Sequence, residues 1–252
     1  MNSTAMLVVA KSPEPGRAKT RLSPPATPEQ AAAIAAGSLL DTMRAVHAVA
    51  GGRAVVAWTG EPARAVRHDE IAAVLATTRI VRQRGEDFAR RLAAAHADVA
   101  ELMPQHPVLQ IGMDTPQVTG ALLERSAEPL HREGGPDAVL GPACDGGWWA
   151  LGLRNPRWAD VLGEVPMSRA DTGDRTLEAL RSAGLRVQLL PELSDVDTMA
   201  AARSVAARIP GSEFAAAVRA AASGGEGRAV MAESTTRSSG EADRPAGSVR
   251  RR

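Results

Sequence analysis

The sequence predicts one α/β domain, a three-layer α/β/α sandwich around a mostly parallel central sheet. Three observations predict it. Short continuous apolar runs, the first at Ala5-Met6-Leu7-Val8-Val9-Ala10, suit strands buried on both faces. These runs alternate with stretches that carry helix start and stop signals, the order that produces parallel strands with helical crossovers. Within 252 residues the chain shows no boundary between two comparable halves, so a single core is expected.

Each element follows from local chemistry. After the first strand comes a polar loop rich in Pro and Gly. Thr27-Pro28-Glu29-Gln30 then supplies an N-cap, a proline at the first helical position and a capping-box glutamine. That helix is expected to run to about Ala50, where Gly51-Gly52 stops it. A strand is predicted at Ala54 to Trp58, a helix within Pro62 to Leu75, and a short strand near Ile80-Val81. Asp87 reads as the cap of a helix reaching Leu102, and Pro104 and Pro107 frame a strand at Val108 to Ile111. Further strands are predicted at Ala138 to Leu140, Trp148 to Leu153 and Arg186 to Leu190, with helices near Ala121 to Leu130, Asp174 to Ala183 and Thr198 to Arg208.

Composition narrows the partners. Apolar residues form 44% of the chain but aromatics only 2%, so the core is aliphatic and the four tryptophans stand out. A net charge of +1 provides no broad field to attract nucleic acid or an anionic membrane, so any anion site is local. Cys144 is the only cysteine and has no internal disulfide partner, and no signal peptide or membrane-spanning run is apparent. A cytoplasmic location is the simplest expectation. From about Ser223 the composition turns to Gly, Ser, Thr, Glu and Arg, which predicts a folded domain over 1–222 and a disordered tail over 223–252.

Four segments could carry chemistry. The loop Lys11-Ser12-Pro13-Glu14-Pro15-Gly16-Arg17-Ala18-Lys19-Thr20-Arg21-Leu22 follows the first strand, and in open parallel sheets ligands bind beyond the carboxyl ends of the strands. If the loop is extended, alternate residues share a side, so Arg17, Lys19 and Arg21 could converge on a polyphosphate while Gly16 allows close backbone approach. A solvated basic loop is the alternative. Ile111-Gly112-Met113-Asp114-Thr115-Pro116 places a carboxylate beyond the central strand, facing the same crevice; Asp114 is a candidate metal ligand, or else a turn aspartate.

Leu193-Ser194-Asp195-Val196-Asp197-Thr198 precedes the last predicted helix. Its two carboxylates at i and i+2 could complete a metal site with Asp114, or Asp197 or Thr198 could simply cap that helix. Gly141-Pro142-Ala143-Cys144-Asp145-Gly146-Gly147-Trp148-Trp149 is the fourth. Gly146 and Gly147 beside an aspartate could leave room for a ligand, Trp148 offers a face for a sugar or base, and Asp145 could bind hydroxyls or assist proton removal. A hairpin with core tryptophans is equally open. Nothing around Cys144 marks it as an activated thiolate.

Taken in order, Ala10-Lys11-x-Pro-x-Pro-Gly-Arg-x-Lys-Thr-Arg-Leu, Ile-Gly-x-Asp-Thr-Pro, Gly-Pro-x-x-Asp-Gly-Gly-Trp and Asp-Val-Asp-Thr resemble a bacterial glycosyltransferase-A-like family, the selenodomain-associated or arsenosugar-biosynthesis transferases. The resemblance spans roughly Met6 to Arg208. It implies a nucleotide-diphospho-sugar transferase fold, and the chain is also similar to related nucleotidyltransferases that guanylylate small phosphorylated acids. It implies further that the Lys11 to Arg21 loop binds nucleotide phosphates, that Asp114 holds a metal with Asp195 and Asp197 as its distal ligands, and that Gln83 lines the nucleotide side. Three positions depart from the family pattern: Trp148 stands where tyrosine is usual, Met167-Ser168 where Trp-Ser is common, and Met-Ala follows Asp197-Thr198.

The expected activity is therefore metal-dependent transfer, with Mg²⁺ or Mn²⁺, from a nucleotide sugar to a small-molecule acceptor. Nucleotidyl transfer from a nucleoside triphosphate, releasing pyrophosphate, is the alternative, and a non-catalytic nucleotide-binding protein the third reading.

Overall fold

A computed structural model describes residues 4–223 of the chain. Seven strands, β1 (Ala5–Lys11), β2 (Ala54–Thr59), β3 (Arg79–Arg82), β4 (Val108–Gly112), β5 (Ala138–Pro142), β6 (Trp148–Leu153) and β7 (Val187–Leu189), form one sheet in the order β3-β2-β1-β4-β6-β5-β7. The strands β3, β2, β1 and β4 run parallel, and β5 pairs parallel with β7. Only β6 is reversed, antiparallel to both β4 and β5, because it follows β5 through a tight turn instead of a helical crossover.

Helices α1 (Pro28–Ala50), α2 (His68–Leu75), α3 (Phe88–Leu102), α4 (Gly120–Ala127), α5 (Thr172–Ser182) and α6 (Met199–Arg208) connect the strands, and residues 213–223 form α7. The predicted starts are observed. Thr27 and Gln30 make the reciprocal capping box of α1, Asp87 accepts the Arg90 N–H at the start of α3, and Thr198 caps α6. The helix expected within Pro62 to Leu75 is α2, preceded by a separate 3-10 turn at Pro62–Arg64, and α4 is shorter than expected, giving way to another 3-10 turn at Glu128–His131, where Pro129 interrupts the α-helical bonding.

Alternation along β1 divides the core. Met6, Val8 and Ala10 face the layer containing α1 and α4, while Ala5, Leu7 and Val9 face the layer containing α3 and Leu180 of α5. Leu7 and Leu109 are completely buried, on opposite faces, so truncating either to Ala would cost roughly 2–5 kcal/mol. This sandwich with its parallel heart is the predicted fold class. At its outer border β3 carries Arg79 and Arg82, charges that discourage further strand addition at a sheet edge. Among the described residues no helix is long and apolar enough to cross a membrane. The predicted tail of residues 223–252 lies outside the described residues, apart from Ser223 at the end of α7.

Candidate functional site

The carboxyl ends of β1 and β4 lie side by side, with Val8 opposite Ile111, and the segments leaving both strands gather over this edge of the sheet. The loop after β1 is anchored from below. Ser12 donates its hydroxyl to the Glu61 carbonyl at 2.8 Å, and the buried Glu14 carboxylate accepts the Glu61 N–H at 3.4 Å and the Arg17 guanidinium at 3.5 Å. Gly16 turns the chain at φ 73, and the space its missing Cβ would enter is open. Gln83 donates both amide protons downward, to the carbonyls of Ala10 at 2.8 Å and Ala57 at 2.9 Å, and so ties the residue after β3 to the ends of β1 and β2.

The extended zigzag expected for Arg17, Lys19 and Arg21 does not form. Lys19 is left-handed at φ 49 and Thr20–Leu22 is a 3-10 turn, so the three cations find different partners. Arg17 stays with Glu14. The Lys19 side chain is only 9% exposed; its ammonium donates to the Val196 carbonyl at 2.6 Å and stands 3.3 Å from Asp114 and 3.6 Å from Asp197. Arg21 pairs with the other oxygen of Asp197. Long-range acceptors thus override the local alternation, and tertiary contacts rather than period bring the charges together.

Lys11 closes the other side. Its ammonium donates to the Arg17 carbonyl at 3.1 Å, and its backbone N–H points to the Met113 sulfur at 3.3 Å. Ser38 of α1 donates to the Met113 carbonyl at 2.7 Å, which fixes the turn that presents Asp114. Lys11, Lys19, Arg21, Met113, Asp114 and Asp197 line a cleft of about 160 Å³.

Beside this cleft three carboxylates, Asp145, Asp195 and Asp197, each present an oxygen within 4.8 Å of the others. Asp195 is pushed above the usual carboxylate range, chiefly by burial and then by the negative charges of Asp145 and Asp197. The grouping differs from the predicted trio of Asp114, Asp195 and Asp197. Asp145 takes the third place, because the Cys144 N–H bonds to the Leu193 carbonyl at 3.1 Å and draws the β5–β6 turn against the 193–197 segment. Asp114 joins through Lys19, which it shares with Asp197. Three all-oxygen donors at this spacing suit a hard divalent cation.

The β5–β6 turn is a hairpin whose glycines serve the backbone. The Asp145 carboxylate accepts the Gly147 N–H at 2.8 Å, and Gly146, at φ 86, lies so close to Ala170 that a Cβ would stand 1.8 Å from its carbonyl oxygen. The space at Gly146 is therefore filled by the approach to α5, whose Gly173 donates to the Gly146 carbonyl at 2.8 Å, and no opening is left there for a ligand. Trp149 is core, its indole stacked over Gly141 and donating to the Pro191 carbonyl at 2.9 Å. Trp148 is half-buried against the other sheet face and donates to the Thr176 hydroxyl of α5 at 3.1 Å. Cys144 is exposed, with its sulfur 3.7 Å from the Ser194 hydroxyl.

Sequence reasoning did not single out Glu14, Ser38 or Gln117, whose amide donates to the Ser194 carbonyl. All three shape the loops that carry the charged groups. Glu14 had one visible signal, a carboxylate between two prolines in a basic loop; Ser38 sits in an Ala-rich helix without any.

The family model described as "Uncharacterized protein conserved in bacteria (DUF2064)" matches residues 42–169, a span that holds Asp114 and Asp145 and leaves out the basic loop and Asp195. A protein from Desulfovibrio desulfuricans G20, provisionally described as a nucleotide-diphospho-sugar transferase, is 26% identical, with a TM-score of 0.74 over 87% of this chain and 95% of that one. A CMP:2-keto-3-deoxy-manno-octonic acid synthetase complexed with CTP shares the fold at 13% identity, with a TM-score of 0.52 over 83% of this chain and 99% of that one. No curated protein matches the chain by sequence.

Proposed function

The chain belongs to this bacterial DUF2064 family, and from that premise we propose that it is a transferase using a nucleotide-activated donor, moving a glycosyl group from a nucleotide sugar to a small-molecule acceptor. One observation carries the reading: Lys19, from the loop after β1, meets Asp114 after β4 and Asp197 before α6 at a single cleft on the carboxyl edge of the sheet. The similarity to the Desulfovibrio protein, described with that class of substrate, supports it.

In this reading Lys11, Gly16, Arg17, Lys19 and Arg21 bind the phosphates, with guanidinium forks and an ammonium matched to phosphate oxygens. Gln83 holds the strand ends beneath the nucleotide. Asp195 and Asp197 would hold Mg²⁺ or Mn²⁺, with Asp114 on the same rim and Asp145 beside the ion as the carboxylate left free to act as base. Burial raises Asp195 first and the like charges of Asp145 and Asp197 second; a bound cation relieves the second. When bound, such a cation offsets negative charge on the departing diphosphate. An acceptor hydroxyl oxygen forms a bond to the anomeric carbon as the bond from that carbon to the phosphate oxygen breaks; the hydroxyl proton passes to Asp145, the exposed carboxylate of the group, and the nucleoside diphosphate leaves. Gly147 and Trp148 would border the acceptor side of the turn that carries Asp145.

The density of cations in the 11–21 loop also suits a triphosphate, which favours nucleotidyl transfer as the second reading. There an acceptor oxygen attacks the α-phosphorus and pyrophosphate leaves. Product identity separates the two in one experiment. Donors and triphosphates are supplied with Mn²⁺ and an acceptor panel; nucleoside diphosphate supports glycosyl transfer, pyrophosphate supports nucleotidyl transfer, and neither binding nor turnover with any donor removes both.

A further inference from the structure

The two charged arms of the site come from opposite ends of the described chain, yet both are rooted in one place. Leu22, directly after Arg21, and Val196, between Asp195 and Asp197, are fully buried in an apolar cluster separate from the two sheet-face cores. Phe214 of α7 is fully buried in the same cluster. The seat of α7 is specific. A Cβ on Gly37 of α1 would stand 2.9 Å from the Glu213 backbone, so only glycine permits this approach. The buried Asp41 carboxylate of α1 accepts the Phe214 N–H at 2.8 Å and the Glu213 N–H at 3.3 Å, satisfying two donors at the free start of the helix. Glu213 is held in turn by Arg67 at 3.0 Å and Arg44 at 3.6 Å.

We propose that α7 is a positioning element for the site, with Phe214 and Asp41 as positioning residues that set the spacing between the basic loop and the acidic segment through Leu22 and Val196. A close-packed cluster has one arrangement, so the separation of two of its members is fixed while the packing lasts. An opposing tendency acts on the same segment: Asp145, Asp195 and Asp197 crowd like charges together, and Lys19 and Arg21 hold the segment by reaching across to it. Without α7 the cluster that holds both Leu22 and Val196 loses part of its wall, and only the polar links of Lys19 and Arg21 are left to hold the two arms at their spacing. The mechanical part stands by itself; its effect on ligand binding rests on the nucleotide-dependent reading above.

Hydrogen exchange on the full chain tests it, with Phe214→Leu as the mild variant, Phe214→Ala as the severe one and Asp41→Asn loosening the helix start without entering the cluster. Peptides covering 17–23 and 193–198 are expected to exchange about tenfold faster, together, in each variant that speeds exchange at 213–223, with the β1 and β4 peptides unchanged. Binding of a nucleoside diphosphate with Mn²⁺ is expected to weaken in the same variants, mainly in Kd and KM, with a smaller change in kcat. The inference is overturned if 213–223 loosens while either arm keeps its wild-type exchange, or if none of the variants loosens 213–223. If the wild type binds no nucleotide, the nucleotide reading fails and the exchange result still decides this one.

Discussion

Lys19 and Asp114, from loops at the ends of neighbouring parallel strands, stand 3.3 Å apart in a cleft where the ammonium is almost wholly buried. The pair explains how a positive loop and a negative rim lie against each other at one edge of the sheet. The lysine is the neutralising charge between Asp114 and Asp197, and it sits where an anion bridged to the rim would reach it.

Lys19→Met is therefore expected to weaken nucleotide diphosphate binding by about 10- to 100-fold, the equivalent of roughly 1.5–3 kcal/mol for a charge-assisted hydrogen bond. Calorimetry with the variant checks it. Unchanged affinity would mean the phosphates lie elsewhere.

Asp195→Asn separates metal binding from stability. Because burial and the charges of Asp145 and Asp197 hold the Asp195 carboxyl above its ordinary range, its ionised form opposes folding when no cation is present. The amide should raise the metal-free Tm by roughly 1–2 °C while weakening Mn²⁺ binding about tenfold or more. Thermal scans in chelator and Mn²⁺ titration followed by electron paramagnetic resonance give the two readouts; a fall in both Tm and affinity would contradict the electrostatic account.

Gly146 and Gly16 should behave oppositely. A Cβ at Gly146 would meet the Ala170 carbonyl in a left-handed backbone, so Gly146→Ala should lower stability by about 3 kcal/mol or more, measured by urea unfolding. Gly16 shares the positive φ but faces open space, so Gly16→Ala should cost only about 1 kcal/mol of stability and act mainly on nucleotide affinity.

His96 predicts an acid limit. It is wholly buried between α3 and β4, bonded through Nε2 to Gln110 at 2.9 Å, and burial pushes its pKa down to about 4. The folded value lies below the unfolded one, so the unfolded chain takes up the proton first. Stability is fully present above pH 6.5 and falls as pH drops towards 4, by about 2 kcal/mol at pH 5 and about 3 kcal/mol in full. Urea unfolding at pH 7 and pH 5 should show that loss, and His96→Gln should flatten it.

The fold was readable because its signals are local. The Thr27 capping box, the Asp87 cap and the apolar runs of β1, β2 and β4 each act within a few residues. The site was readable as to which segments, less so as to partners. Lys19 turns left-handed to reach Val196 and Asp114, and Asp145 joins Asp195 and Asp197 through the bond from Cys144 to Leu193, contacts with no trace in nearby sequence. What nearby sequence does not show for the helix at 213–223 is its seat, where Asp41 accepts the first N–H groups and Gly37 allows the approach, both on α1. Its own run is marked locally by the Ser212 hydroxyl, which accepts the Ala215 N–H at 3.0 Å, and by Phe214, Val218 and Ala221 at helical spacing on the buried face.

The most direct test is the linkage between metal and nucleotide. If the basic loop, the acidic rim and the cation surround one diphosphate, a nucleoside diphosphate should bind about tenfold or more tightly in saturating Mn²⁺ than in chelator, and Mn²⁺ should tighten by the same factor when the nucleotide is bound. Calorimetric titrations in both orders measure this. Equal affinities with and without the partner ligand would contradict the account.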